Sequence, residues 1–252
     1  ATMLFFVLGA LLIGVWCPSV IRAVLRQRAL LGLALVSGLS NATFNWGVAT
    51  GDVVRVVLLF YLMPLWAALL AKFVLHEQIT RAAALRMALA LLGAALVLKP
   101  QGAAWPQFGS LSDALGLLGG IGFAMTNVML RQQSHQPAVS RAFAMFAGCT
   151  LLPGILGWVL TWQGAVSPWP SFSWAWGAWV LLMGGVFFAS NLALQYGAAE
   201  LPVQLTSVLM ITEVLFAAVS AAWWGETTLT PSVLMGGGLI LSAALLAARS
   251  EH

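Results

Sequence analysis

The sequence predicts an all-α polytopic membrane protein built as an inverted repeat of two five-helix bundles, with nine of the ten transmembrane helices present. Three observations predict it. First, 61 % of the 252 residues are hydrophobic and only 7 % charged, with a mean hydropathy of +0.96; a soluble domain carries roughly a quarter charged residues. Second, apolar runs of about 20 residues recur, each long enough to cross a ~30 Å hydrocarbon core at ~1.5 Å per residue. The runs are continuous rather than alternating, so helices rather than barrel strands satisfy the backbone in lipid. Third, the stretch Phe44–Leu96 is echoed by Leu194–Leu245. Phe44-Asn45-Trp46-Gly47 matches Leu194-Gln195-Tyr196-Gly197 at an offset of 150, and His76-Glu77 matches Gly225-Glu226 at 149.

The elements follow in order. Span 2–22 leads into Arg22, Arg26 and Arg28 instead of a small-residue cleavage site, so it is a span and not a cleaved leader. Span 29–49 carries Asn41, Thr43 and Asn45, span 53–75 contains Pro64, and span 82–99 runs into Lys99-Pro100. The Pro- and Gly-dense segment 100–112, with Trp105, joins the two halves. Span 113–131 is studded with Gly116, Gly119, Gly120 and Gly122, which permit close helix approach. Between Arg141 and Glu200 no residue is charged, enough chain for spans 139–162 and 174–197 and the Pro168-Trp169-Pro170 turn. Pro202 and Pro231 open spans 203–224 and 231–248, where a missing N–H is tolerated.

The register of the echo sets the topology. Span 29–49 pairs with 174–197, 53–75 with 203–224, and 82–99 with 231–248, each five crossings along, so a repeated span faces the opposite way. Span 2–22 pairs with 139–162, while 113–131 has no partner. The expectation is a half-repeat of four helices over 1–103, one of five over 104–252, and an absent first helix before Ala1. Arg22, Arg26, Arg28, Lys72, Arg81, Arg86, Arg131, Arg141 and Arg249 fall on one side of the membrane. Only Arg55 and Lys99 fall on the other. That bias places the first side and the C-terminus in the cytoplasm. Trp105, Trp158, Trp162, Trp169, Trp174, Trp176, Trp179, Trp223 and Trp224 crowd the opposite side as an aromatic belt.

Several function classes are excluded or disfavoured. The net charge of +4 sits at span ends, where it serves topology rather than nucleic acid. Cys17 and Cys149 lie inside apolar runs as packed thiols, without metal-ligand spacing. No GxxxxGK[ST] phosphate loop and no HExxH pair is present, and no buried Ser/His or Asp/Asp set is available to an intramembrane enzyme. The chain reads as a non-enzyme without cofactor or metal. His76 and His135 read as solvated loop residues, and Glu77 and Glu226 as helix-capping or loop-pinning groups.

Glu213 is the first candidate for chemistry. It stands in mid-span between apolar residues, where a charged side chain costs ~2.5–3.5 kcal/mol on insertion scales and marks function by default. It would take up a coupling proton or contact a substrate ammonium; the alternative is a protonated structural carboxyl. Its repeat partner is Pro64, which removes a backbone hydrogen bond and kinks its helix, as hinge or as packing. Asn41 with Asn45, and Asn191 with Gln195, lie four apart on single faces of repeat-related helices, with Thr126 and Asn127 on a third. Two such stripes meeting at mid-depth would line a cavity for a zwitterionic solute; interhelical hydrogen bonding is the alternative reading. Trp46, Tyr61, Phe123 and Tyr196 would supply aromatic walls.

Each half has a helix ending in a small-aromatic pattern (Asn45-Trp46-Gly47; Gln195-Tyr196-Gly197). A further helix follows, then a Glu-x-x-Thr-like turn at Glu77–Thr80 or Glu226–Thr230 and a small-residue helix. In these features the chain resembles the EamA-type branch of the drug/metabolite transporter superfamily. Tyr61-Leu62-Met63-Pro64-Leu65-Trp66 is similar to a Tyr-Leu-Trp-Pro segment of bacterial aromatic amino-acid exporters of that branch. Met63 stands where those exporters carry tryptophan, and a flexible thioether suits a less selective pocket. The resemblance implies an inner-membrane secondary transporter or facilitator that exports small metabolites, amino acids foremost, by alternating access. A proton taken up by Glu213 is a candidate coupling partner, with uniport the alternative. The alternatives are efflux of lipophilic cations or drugs, a nucleotide-sugar or phosphate-ester translocator using Lys72 and Arg55, and a non-transporting membrane scaffold.

Overall fold

The computed structural model describes residues 2–51, 53–98, 109–164, 173–223 and 231–248. Lys99, Trp105, the Pro168-Trp169-Pro170 turn, Trp224, Gly225, Glu226, Arg249 and His252 lie outside the described residues. Every regular element among the described residues is helical. In chain order they are α1 (Thr2–Trp16), α2 (Ser19–Arg26), α3 (Arg28–Thr50), α4 (Val53–Phe60), α5 (Met63–Leu70) continued by a π-helical turn (Ala71–Leu75), and α6 (Arg81–Leu98). Then come α7 (Leu111–Gln132), α8 (Ala138–Trp162), α9 (Trp174–Glu200), α10 (Val203–Met210), α11 (Thr212–Trp223) and α12 (Pro231–Ala248).

Within the described residues all nine sequence spans are helical, and three of them are interrupted. Among the described residues four segments, Arg55–Leu75, Leu111–Gln132, Ala138–Trp162 and Trp174–Glu200, are long and apolar enough to cross a membrane, and α1 with α2 makes a fifth if counted as one span. The protein is an all-α polytopic membrane protein. Span 2–22 is corrected: α1 stops at Trp16, and the chain bends by 109° into α2. Pro18 at the junction cannot continue the ladder. In α2, Val20 and Val24 are buried while Arg22 and Arg26 are exposed, an amphipathic pattern suited to the membrane interface rather than its core.

The helices group into two compact units, each drawing on both sequence halves: residues 1–42 with 129–200, and 43–128 with 201–252. In the first unit α1 packs on α8, the pair matched by repeat register. Its core is formed by Phe6, Leu30, Leu33, Leu130, Met145 and Phe146, with Phe146 stacked on Phe188 at 5.3 Å between ring centroids. Cys149 is buried in this core and its thiol donates to the Ser37 carbonyl at 3.4 Å, while Cys17 packs at the edge; both are free. In the second unit two further repeat-related pairs pack together, α6 on α12 and α5 on α10. Gly93 lies against the Gly236 carbonyl and Ile240, an approach that a side chain would block.

Polar contacts tie the helix ends. Arg131 donates to the carbonyls of Ala199 (2.8 Å) and Glu200 (2.6 Å), satisfying acceptors at the C-terminus of α9. Arg141 is buried and donates to the carbonyls of Gln133, Ser134 and Gln136, which holds the α7–α8 turn. Both arginines therefore fix loop geometry in addition to the topological role read from sequence. Thr80 caps α6 by accepting from the Ala83 N–H at 3.1 Å, giving the threonine of the Glu-x-x-Thr turn a structural task. Trp158, Trp162, Trp174, Trp179 and Trp223 are all strongly exposed, as belt residues should be.

At the start of α7, Ser110 and Asp113 form a reciprocal capping box. The Asp113 N–H donates to Ser110 Oγ (3.1 Å) and the Ser110 N–H to Asp113 Oδ2 (3.0 Å). The same oxygen accepts from the Gly109 N–H (3.1 Å) and from Arg55 Nη2 (2.5 Å). Asp113 is buried, and losing it removes the acceptor of the Arg55 guanidinium and of the Gly109 and Ser110 N–H groups together. Asp113→Ala is expected to destabilise the protein by about 3 kcal/mol, seen as a lower thermal unfolding midpoint in detergent; an unchanged midpoint would show the pair to be dispensable.

Candidate functional site

The site is built around two helix breaks. Regular helix is interrupted within the single apolar segment Arg55–Leu75 by a tightened turn at Tyr61-Leu62, between α4 and α5, and in span 203–224 by one at Ile211, between α10 and α11. At the first break the Leu62 N–H donates to the Leu59 carbonyl (3.2 Å) and the Leu65 N–H to Leu62 (3.0 Å). At the second, Ile211 donates to Val208 (3.2 Å) and Val214 to Ile211 (3.1 Å). Each residue of the second set lies 149 positions after its counterpart, so the repeat extends to a tightened i→i−3 turn in the same place.

The causes differ between the halves. Pro64 has no N–H for the Phe60 carbonyl, and its ring crowds that oxygen. The second half has no proline there. Instead the Thr212 hydroxyl donates to the Leu209 carbonyl at 2.6 Å, a side-chain bond that competes with the helical ladder.

Across the two breaks the Tyr61 hydroxyl donates to Glu213 Oε1 at 2.5 Å, the short spacing of hydroxyl-to-carboxylate bonds. Tyr61 is only 5 % exposed, so its ring is a fixed post, whereas Glu213 is exposed. The post belongs to an aromatic group: Phe60 meets Tyr61 edge-on at 6.1 Å, Phe123 at 5.5 Å and Phe44 at 4.6 Å. Gly120 makes room for it, since a Cβ there would fall on the Phe60 carbonyl. Met63 and Pro64 are buried in the same core, and Phe123 is half-buried.

One helical turn beyond Phe123, Asn127 is 0 % exposed, and neither its Nδ2 nor its Oδ1 has a hydrogen-bond partner. The indole N–H of Trp66 is likewise buried and unpartnered. Each such atom costs about 1–3 kcal/mol. Neighbouring Thr126 is satisfied by its own helix, donating to the Gly122 carbonyl at 2.9 Å.

The remaining predicted residues divide between the units. Asn45 and Trp46, half-buried, share the unit of Tyr61 and Glu213. Asn41, Asn191, Gln195 and Tyr196 belong to the other. There Gln195 is buried and donates through Nε2 to Asn191 Oδ1 at 3.2 Å, so the four-residue spacing does place the two on one face. Tyr196 is 68 % exposed and lies outside the packed core of its unit. Sequence reasoning missed Trp66 as an orphaned donor and missed the break at Ile211. The signal for the second was the echo itself, which carries Leu62 onto Ile211. Arg55, weighed as an anion-binding cation, is engaged with Asp113. No group of three or more His, Cys, Asp or Glu capable of holding a metal occurs among the described residues.

Residues 1–99 match the model of the EamA-like transporter family. A protein of Archaeoglobus fulgidus described as an uncharacterized transporter is 28 % identical over 227 residues, 88 % of this chain and 77 % of that one. A solved crystal structure superposes with a TM-score of 0.75 at 20 % identity, covering 100 % of this chain and 88 % of the other, a likeness of fold. The match bears out the EamA-type resemblance over residues 1–99, where this multi-pass membrane protein is similar to the EamA-like transporter family.

Proposed function

We propose that the chain is a secondary transporter or facilitator that exports small metabolites, amino acids foremost, across a bacterial inner membrane. Half-repeats 1–103 and 104–252 would alternate access to a site that includes Glu213. One observation carries this reading: a carboxylate in an apolar helix is held by the Tyr61 hydroxyl between breaks at repeat-equivalent positions. Broken helices at the bilayer midplane are where transporters with inverted repeats bind substrate and coupling ions. The family match and the transporter description of the archaeal relative support the class. The asymmetry of Lys and Arg supports a cytoplasmic C-terminus.

Uptake of a labelled amino-acid panel into proteoliposomes, with and without a pH gradient, tests substrate and coupling together. Saturable transport of at least one member that responds to the gradient is expected; no transport above protein-free vesicles would remove the amino-acid reading. A second reading, efflux of lipophilic cations, is favoured by the exposed Glu213 standing three residues from the exposed ring of Phe216 on one helix face. Transport of quaternary ammonium compounds in place of the amino acids would select it.

A further inference from the structure

We propose that Asn127 and Trp66 form a subsite for the carboxylate of a zwitterionic substrate. The inference rests on the transport reading above and names the substrate chemistry it requires. It begins from two orphans. Asn127 is fully buried with both amide atoms unpartnered, so no choice of amide orientation rescues it, and the Trp66 indole N–H is in the same state. Buried polar groups are nearly always satisfied, and a purely packing position is filled better by an apolar side chain of similar size.

The two residues are neighbours by helix register. Gly116 lies against Val56 and Gly120 against Phe60, so α7 runs alongside α4 and α5 in the same direction. Seven residues on, two helical turns, Gly120 leads to Asn127 and Phe60 to Ala67, beside Trp66. Trp66, Ala67, Ala71, Ala124, Val128 and Val203 pack as one cluster, with Leu70 and Leu75 at its edge. Together the two side chains offer three N–H donors and one acceptor, a balance that favours an oxygen-rich, electron-donating group. Both are neutral, so an anion held here keeps its charge complement on the substrate itself.

The polarity follows from the surroundings. Phe60, Tyr61 and Phe123 form an aromatic partition. Tyr61 presents Glu213 at one end, and α7 presents Asn127 one turn past Phe123 at the other. The partition keeps the Glu213 carboxylate away from these donors, so a bound carboxylate meets N–H groups and no like charge. Parting of α5 from α7 beyond the Tyr61-Leu62 break would open the donors to it.

The test compares full-length wild type with Asn127→Leu, Asn127→Ser and Trp66→Phe in proteoliposomes. Each is assayed with a transported amino acid and with its decarboxylated amine, and thermal unfolding is measured in parallel. Asn127→Leu is expected to raise KM for the amino acid ~10- to 100-fold, the factor for hydrogen bonds to a charged group. It should leave transport of the amine unchanged and raise the unfolding midpoint. Trp66→Phe should give a smaller KM increase in the same direction. Asn127→Ser, which cannot overpack, guards against a leucine that fails to fold and should fall between the two. Unchanged amino-acid KM in Asn127→Leu and Asn127→Ser, with wild-type transport intact, overturns the subsite alone. A wild type that moves no amino acid overturns the substrate class, and the subsite with it.

Discussion

Glu213→Gln is expected to abolish gradient-driven accumulation while leaving substrate exchange between equal pools measurable. Glutamine keeps the size of the side chain and accepts a hydrogen bond from the Tyr61 hydroxyl, so the 2.5 Å contact has a near-isosteric replacement. What it removes is the capacity to bind and release a proton or to pair with an ammonium. A coupling residue lost in this way uncouples transport from the pH gradient, because a ligand shifts an equilibrium only by its differential affinity for the two states. Tyr61→Phe separates holding from coupling: the ring stays packed against Phe60 while the donor is lost. A ~10-fold fall in transport is expected, in line with a hydrogen bond to a charged group. Uptake by Glu213→Gln with wild-type rate and pH dependence would remove Glu213 from the mechanism.

The two breaks explain how much of the fold and site was legible. Helix positions were readable because lipid admits few alternatives: every predicted span is helical within a few residues of its bounds, from α3 to α12. Interruptions were readable only where a residue type announces them. Pro64 does so by its missing N–H. Ile211 does not, because Thr212 works through a hydroxyl bond to Leu209 that many mid-helix threonines also make without breaking a helix. Apolarity concealed the turn at Pro18, since residues 2–22 are hydrophobic enough for one span; the alternation of Val20 and Val24 with Arg22 and Arg26 was the overlooked sign.

The candidate site was partly legible for a similar reason. Glu213 stands out in sequence because a carboxylate in an apolar run is costly wherever it points. Its partner does not stand out, because pairing with Tyr61 bridges 152 positions, and Arg55 with Asp113 bridges 58. Asn127 was visible as a polar residue in a span, but Thr126 beside it looks equivalent on paper. Only packing separates the satisfied hydroxyl from the orphaned amide. Trp66 was hidden by abundance: among 12 tryptophans, a buried indole without an acceptor has no mark in sequence.

Gly148→Ala carries the largest expected effect on stability. Helices in lipid gain little from burying apolar surface against one another, so close backbone approach supplies much of their association. In the first unit α3 and α8 meet through glycines: a Cβ on Gly148 would fall on the backbone carbonyl of Ala34, and one on Gly38 on the carbonyl of Gly148. The obstructing atoms are main chain and cannot rotate aside, so the helices must separate. Separation would loosen Cys149 from the Ser37 carbonyl and open the core around Leu33 and Phe146. Overpacking ordinarily costs ~1–3 kcal/mol and more where nothing can yield, so at least about 3 kcal/mol is expected here. At ~2–4 °C per kcal/mol that lowers the unfolding midpoint by about 6–12 °C. Gly157, on the same helix, has open space where its Cβ would be, and Gly157→Ala should instead stabilise by ~0.5–1 kcal/mol through helix propensity alone. Equal midpoints for the two variants would mean that the α3–α8 contact contributes nothing beyond propensity. A gap of several degrees in the stated order would locate the stability of this unit at the crossing of Gly38 and Gly148.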